Sequence, residues 1–133
     1  MKAQAGMEYM LLFGLSLMVV GVLWYVSNNN IENTQWDLQL SYAKNALSKI
    51  TGTADVVYIE GEPTQSYINV YLPENVNAIY IANNSVTIEM RWREFLRNVT
   101  DYSVANLTGS ITPVIGRNVV LIKAGTKVNV SGV

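Results

Sequence analysis

Glu60 and Glu62 flank Gly61, and a close pair of carboxylates is the arrangement that acid–base hydrolysis uses. Glu62 precedes Pro63, which makes the pair the cap of a turn rather than a catalytic couple. Arg91, Arg93 and Arg97 stand among Trp92 and Phe95, and cations interleaved with aromatic rings can hold a single nucleic-acid strand. Here Glu89 and Glu94 dilute the charge, Trp92 is expected to face a core, and the net charge is only −1. The cluster reads as the wet face of a strand, with no nucleic-acid partner. The chain has no Cys and no His, which excludes thiolate metal sites, cysteine nucleophiles and histidine-dependent triads. It also lacks a glycine-rich phosphate loop and any metal-ligand spacing. Neither an enzyme nor a cofactor is expected. One acid remains to be explained: Glu8, at the mouth of a long apolar run.

That run covers residues 10–26 and is interrupted only by Gly14, Ser16 and Gly21. A helix that crosses a bilayer needs about 20 apolar residues, with a range of roughly 17–25. No charge lies between Glu8 and Glu32, which accounts for much of the low charged fraction of 14%. Trp24 and Tyr25 end the run, where aromatic rings favour a membrane interface. Lys2 precedes the run, whereas Glu32 and Asp37 follow it, so the positive-inside rule keeps the N-terminus in the cytoplasm and puts the rest outside. A cleaved secretory signal has a shorter apolar region and a small-x-small site, unlike Trp24-Tyr25-Val26-Ser27-Asn28. A plain signal anchor leaves Glu8 unexplained, since an acid in apolar surroundings usually faces a partner.

Lys2-Ala3-Gln4-Ala5-Gly6-Met7-Glu8-Tyr9 followed by an apolar helix resembles the class III signal sequence of archaeal type IV pilins. In that family a very short basic leader ends in a small residue before Gln, and a membrane prepilin peptidase cuts there. The resemblance implies cleavage between Ala3 and Gln4, with Lys2 in the leader and Glu8 as the acid four positions into the mature chain. The family often has Ser where this chain has Gly6, and its leaders are often longer. The resemblance covers residues 2–26 closely and the remainder only in layout. Physical reasoning agrees with it. Cutting after Ala3 frees an amine on Gln4 that can pair with Glu8 of the same or a neighbouring subunit, an arrangement that sets register more than stability. Gly14 and Gly21, seven apart, fall on one helical face and leave flat spots for close helix packing, or are ordinary glycines of a membrane helix.

Beyond the run, Asn28-Asn29-Asn30 either ends the helix or forms a soft point within it. Ile31, Leu38, Tyr42, Ala46 and Ile50 recur at helical spacing, widened by Trp36, Leu40, Ala43 and Leu47, and Thr51-Gly52 is the expected stop. From residue 54 the period becomes two. Residues 54–60 are expected as a first strand, 67–72 as a second and 76–82 as a central one, with a turn at Pro73-Glu74-Asn75. Asn83-Asn84 predicts a tight hairpin into Val86, Ile88, Met90 and Trp92. Residues 94–110 are expected to be irregular, and Gly116-Arg117 and Gly125-Thr126 to join strands at 112–115, 118–124 and 127–130. The expected fold is α+β: a long N-terminal helix packed on an antiparallel sheet or small β-sandwich head. The expected division is a leader at 1–3, an apolar helix at 4–26, an amphipathic helix at 27–51 and a β-rich head at 52–133.

Asn83, Asn98, Asn106 and Asn129 each begin an Asn-x-Ser/Thr sequon, all in the part expected outside, where sugar would shield sheet edges. With these features, the resemblance implies a structural subunit of an adhesion pilus. Its implied partners are copies of itself in a helical homopolymer, the prepilin peptidase and assembly machinery, and the membrane before assembly. Two alternatives are a membrane-anchored surface or ligand-binding protein with an uncleaved anchor, and an archaellin-like filament subunit.

Overall fold

The computed structural model describes residues 2–133, with side chains from residue 4 onward. Helix α1 spans Lys2–Glu60, and seven strands follow. Contacts divide the chain into two units between Asp37 and Leu38.

In the first unit every described residue is helical, including Asn28, Asn29 and Asn30. Asn costs only about 0.5 kcal/mol per residue relative to Ala in a helix, too little to stop one already propagating from both sides. Ser16 Oγ donates to Leu12 O at 2.8 Å and Thr34 Oγ1 to Asn30 O at 2.8 Å, so these hydroxyls bond back to the preceding turn.

In the second unit α1 buries Ala43, Ala46, Leu47, Ile50, Ala54 and Val57, an i, i+3, i+4, i+7 stripe. The stripe continues past Thr51-Gly52, so residues 54–60 are the last helical turns and not the expected strand. Ala54 and Val57 extend the helical period, and Gly52 stands in open space at the modest cost of a helical glycine. The helix ends where Gly61 takes φ 73° and its N–H returns to Val57 O at 3.1 Å.

Two sheets complete this unit. The first has the order β1 (Gln65–Leu72), β6 (Gly116–Lys123), β7 (Val128–Gly132), β5 (Leu107–Ser110); the second has β2 (Val76–Ala82), β3 (Ser85–Trp92), β4 (Phe95–Tyr102). The fold is α+β, as expected, but the first sheet is mixed, because β5 pairs with β7 in parallel. Alternation places Ile68, Val70 and Leu72 of β1, Val86, Ile88 and Met90 of β3, Val120 and Ile122 of β6, and Val128 and Val130 of β7 in the core. Gly109 of β5 has φ 127°, and a side chain there would meet Val130 O at 2.0 Å. Only glycine allows that approach.

Three further expectations are corrected. Residues 94–110 contain β4 and β5 rather than an irregular stretch; β4 is an edge strand, mostly exposed on both faces, so it lacks an alternating signature. Val76–Ala82 is an edge strand, not a central one, and none of its residues is fully buried. Residues 112–115 form no strand; Pro113 lies there, and β6 pairs instead with the distant β1. The hairpins at Asn83-Asn84 and around Gly125-Thr126 are present as expected.

Candidate functional site

The first unit owes its chemistry to what it leaves uncovered. From Gln4 to Gln35 every side chain is exposed; Phe13 is 67% and Trp24 70% accessible. The apolar side chains lie on all sides of the helix, not on one stripe. A helix apolar all round is stable where its whole circumference meets hydrocarbon or other helices. By length and composition α1 can cross a membrane. Gly14 and Gly21 have nothing within 4 Å of where a Cβ would stand, so both remain open for the approach of another helix. Gln4 and Glu8 are four apart and share a helical face. The side chains of Lys2 and Ala3, on which leader cleavage is expected to depend, lie outside the described residues.

All four sequon asparagines are exposed. Asn83 sits in the β2–β3 loop with φ 55°. Asn98 lies in edge strand β4, Asn106 just before β5, and Asn129 on β7. Glu60 and Glu62 are both exposed, on either side of the helix cap. Trp92 is half-buried, with the Arg93 guanidinium 6.0 Å from its ring centre, and Arg91 and Arg97 are exposed.

A second set of residues fixes the helix to the sheets. Thr51, 4% exposed, donates to Asp101 Oδ2 at 2.8 Å, and Ser48 donates to the same oxygen at 3.3 Å. Asp55 Oδ1 accepts from the Ser103 hydroxyl and, at 3.0 Å, from Val104 N–H. On the other side Lys49 Nζ donates to Asn69 O of β1 at 2.8 Å, and the Tyr42 and Tyr71 rings meet at 5.3 Å. The helix is thus held by the edge strand of each sheet. Nothing in the sequence announces these pairs, because each carboxylate lies about 50 positions from its hydroxyl partner.

Comparisons of the chain with protein-family models, with curated proteins and with solved structures give no match. Among the described residues no group of three acids gathers as a metal site would require.

Proposed function

We propose that this chain is the precursor of an archaeal type IV pilin, a subunit of an adhesion filament. The observation that carries the proposal is the helix with apolar side chains exposed all round and a single acid, Glu8, at its start. The chain inserts with its N-terminus in the cytoplasm, loses residues 1–3, and leaves the bilayer for a filament whose interior is built of such helices. In that interior the amine of Gln4 meets Glu8 of a neighbour, and Gly14 and Gly21 allow close approach. Because helix contacts replace lipid contacts, packing and shape decide assembly, not transfer from water. A repeated contact that does not close on itself gives a fibre, with the heads outside. The unit from Leu38 onward supports this reading by having its own core, to which Leu47 and Ile50 of α1 belong.

The test is the first residue of the protein taken from cell surfaces, identified by mass spectrometry of its N-terminal peptide. A chain starting at Gln4, free or cyclised, is the expected result; a cyclised end would keep the processing and remove the amine partner of Glu8. Mature surface protein still carrying residues 1–3 would overturn the proposal in favour of an uncleaved anchor. Glu8→Ala is expected to abolish filaments seen by electron microscopy while leaving the membrane-inserted precursor intact.

A further inference from the structure

The chain has eight tyrosines and no cysteine. A covalent tie between its elements therefore needs chemistry other than a disulfide. Two of the phenol rings meet. Tyr42 of α1 and Tyr71 of β1 have ring centres 5.3 Å apart and planes tilted by 58°. That distance is direct ring contact. Other tyrosines of this unit lie elsewhere. Tyr58 stands ~24 Å further along α1, at 1.5 Å per residue. Tyr67 stands ~13 Å back along β1, at 3.3 Å per residue. Tyr80 and Tyr102 belong to the second sheet.

The fold fixes this contact. Lys49 shares a helical face with Tyr42, and Asn69 shares a strand face with Tyr71. Lys49 Nζ donates to Asn69 O at 2.8 Å, so helix and strand are pinned beside the rings. A cavity of about 220 Å³ opens there, lined by Tyr42, Asn45, Lys49, Asn69 and Tyr71 among others. Tyr42 is 46% and Tyr71 52% accessible, so a small oxidant dissolved in water reaches both rings. Among the described residues no methionine or tryptophan lines the cavity, and amides and an ammonium do not quench a phenoxyl radical. Exposed side chains turn between rotamers in picoseconds to nanoseconds, so touching rings sample many alignments while a radical lasts.

We propose that Tyr42 and Tyr71 are a modification site, where a one-electron oxidant joins α1 to β1 through dityrosine. Each phenol gives one electron to the oxidant and one proton to water. The two phenoxyl radicals then form a carbon–carbon bond between ring positions ortho to oxygen. The hydrogens on those carbons leave as protons, the oxygens are protonated again, and two phenols are restored. The net change is the loss of two hydrogen atoms. The tilt suits the product, because joined rings with hydroxyls beside the new bond are also twisted. Coupling within the chain outruns coupling between chains, since the second ring is already in place. The link closes a loop of about 30 residues, and by the loop-entropy argument used for disulfides it shifts the folding equilibrium roughly a hundredfold. The site lies in the unit from Leu38 onward and does not depend on the filament reading.

The test oxidises the full chain, dilute and in detergent, with a photoexcited ruthenium complex and persulfate as the final electron acceptor. The expected product runs as a monomer and shows blue dityrosine fluorescence. Mass spectrometry of its peptides finds the one containing Tyr42 joined to the one containing Tyr71, at their summed mass less two hydrogens. Tyr42→Phe and Tyr71→Phe each lower the yield tenfold or more, whereas Tyr67→Phe leaves it unchanged; circular dichroism establishes that each variant is folded. In urea that unfolds the head the link no longer forms. Urea titration of the isolated linked chain reads the roughly hundredfold shift. Links formed only between chains would overturn the proposal, as would the same yield in urea or an equal loss in Tyr67→Phe. Hydroxylation of Tyr42 with no joined peptide would also overturn it. Glu8→Ala leaves the yield unchanged, which separates this result from the fate of the filament reading.

Discussion

Leu15 and Leu47 are the same residue in the same helix, yet Leu15 is 56% accessible and Leu47 1%. Around Leu15 the neighbours at every angle are also apolar. Around Leu47 they alternate with Lys44, Ser48 and Lys49, so only one stripe seeks cover. The first unit thus has no preferred buried side, whereas the second has one and satisfies it inside its own chain. An apolar surface without a stripe is a design for many neighbours at once; one with a stripe is a design for a single fixed partner.

The largest break in this comparison is expected at Gly109. Gly109→Ala puts a methyl group against the Val130 carbonyl, so β5 must separate from β7. The head is expected to lose about 4 kcal/mol or more, at the upper end for single substitutions. Urea unfolding followed by tryptophan fluorescence in detergent measures it. Next come matched truncations. Ile50→Ala is expected to cost the head roughly 2–5 kcal/mol, since Ile50 is fully buried. Leu15→Ala is expected to leave the same transition unmoved. Equal effects would mean that the two parts of α1 do not differ as their burial implies.

A smaller effect sharpens the comparison at the latch. Asp55→Ala strands the hydroxyl of Ser103, 4% exposed, and the N–H of Val104, and is expected to cost about 1–3 kcal/mol. Faster hydrogen exchange at residues 103–105 would accompany it. The smallest expected change is a gain. Arg93 holds φ 54° in the β3–β4 loop, so Arg93→Gly relieves a left-handed conformation and raises the head's stability by up to about 1 kcal/mol, less any lost contact with Trp92.

How much of this was legible in the sequence follows from the distance over which each signal acts. The apolar run, the part of the helical stripe at Ala43, Ala46, Leu47 and Ile50, and the Val86, Ile88, Met90 alternation are local patterns that stand where expected, whereas Ile31, Leu38 and Tyr42, expected on the same stripe, are exposed. Residues 54–60 misled because Val56, Val57, Tyr58 and Ile59 are good strand formers, while the burial of Ala54 and Val57 against the sheets decides for helix. The better stop signal was Gly61, two residues before Pro63. β4 was hidden because an edge strand exposed on both faces has no reason to alternate. The pairing of β1 with β6 and the bonds of Asp55 and Asp101 bring together residues far apart in the chain, and no local period encodes them. On the candidate site, the position of Asn83 at a loop was readable, whereas the bonds of Thr51 and Asp55 across the latch were not.

The grip of the two sheets on the helix has a mechanical consequence. Its polar attachments, Lys49 to β1 and Ser48, Thr51 and Asp55 to residues at the end of β4, flank the buried stripe on opposite sides. A pull along the helix axis therefore loads these bonds and the packed stripe together, in shear, and they must fail at once rather than peel one by one. Anything the head holds fast transmits its tension into the helix through two edges at the same time.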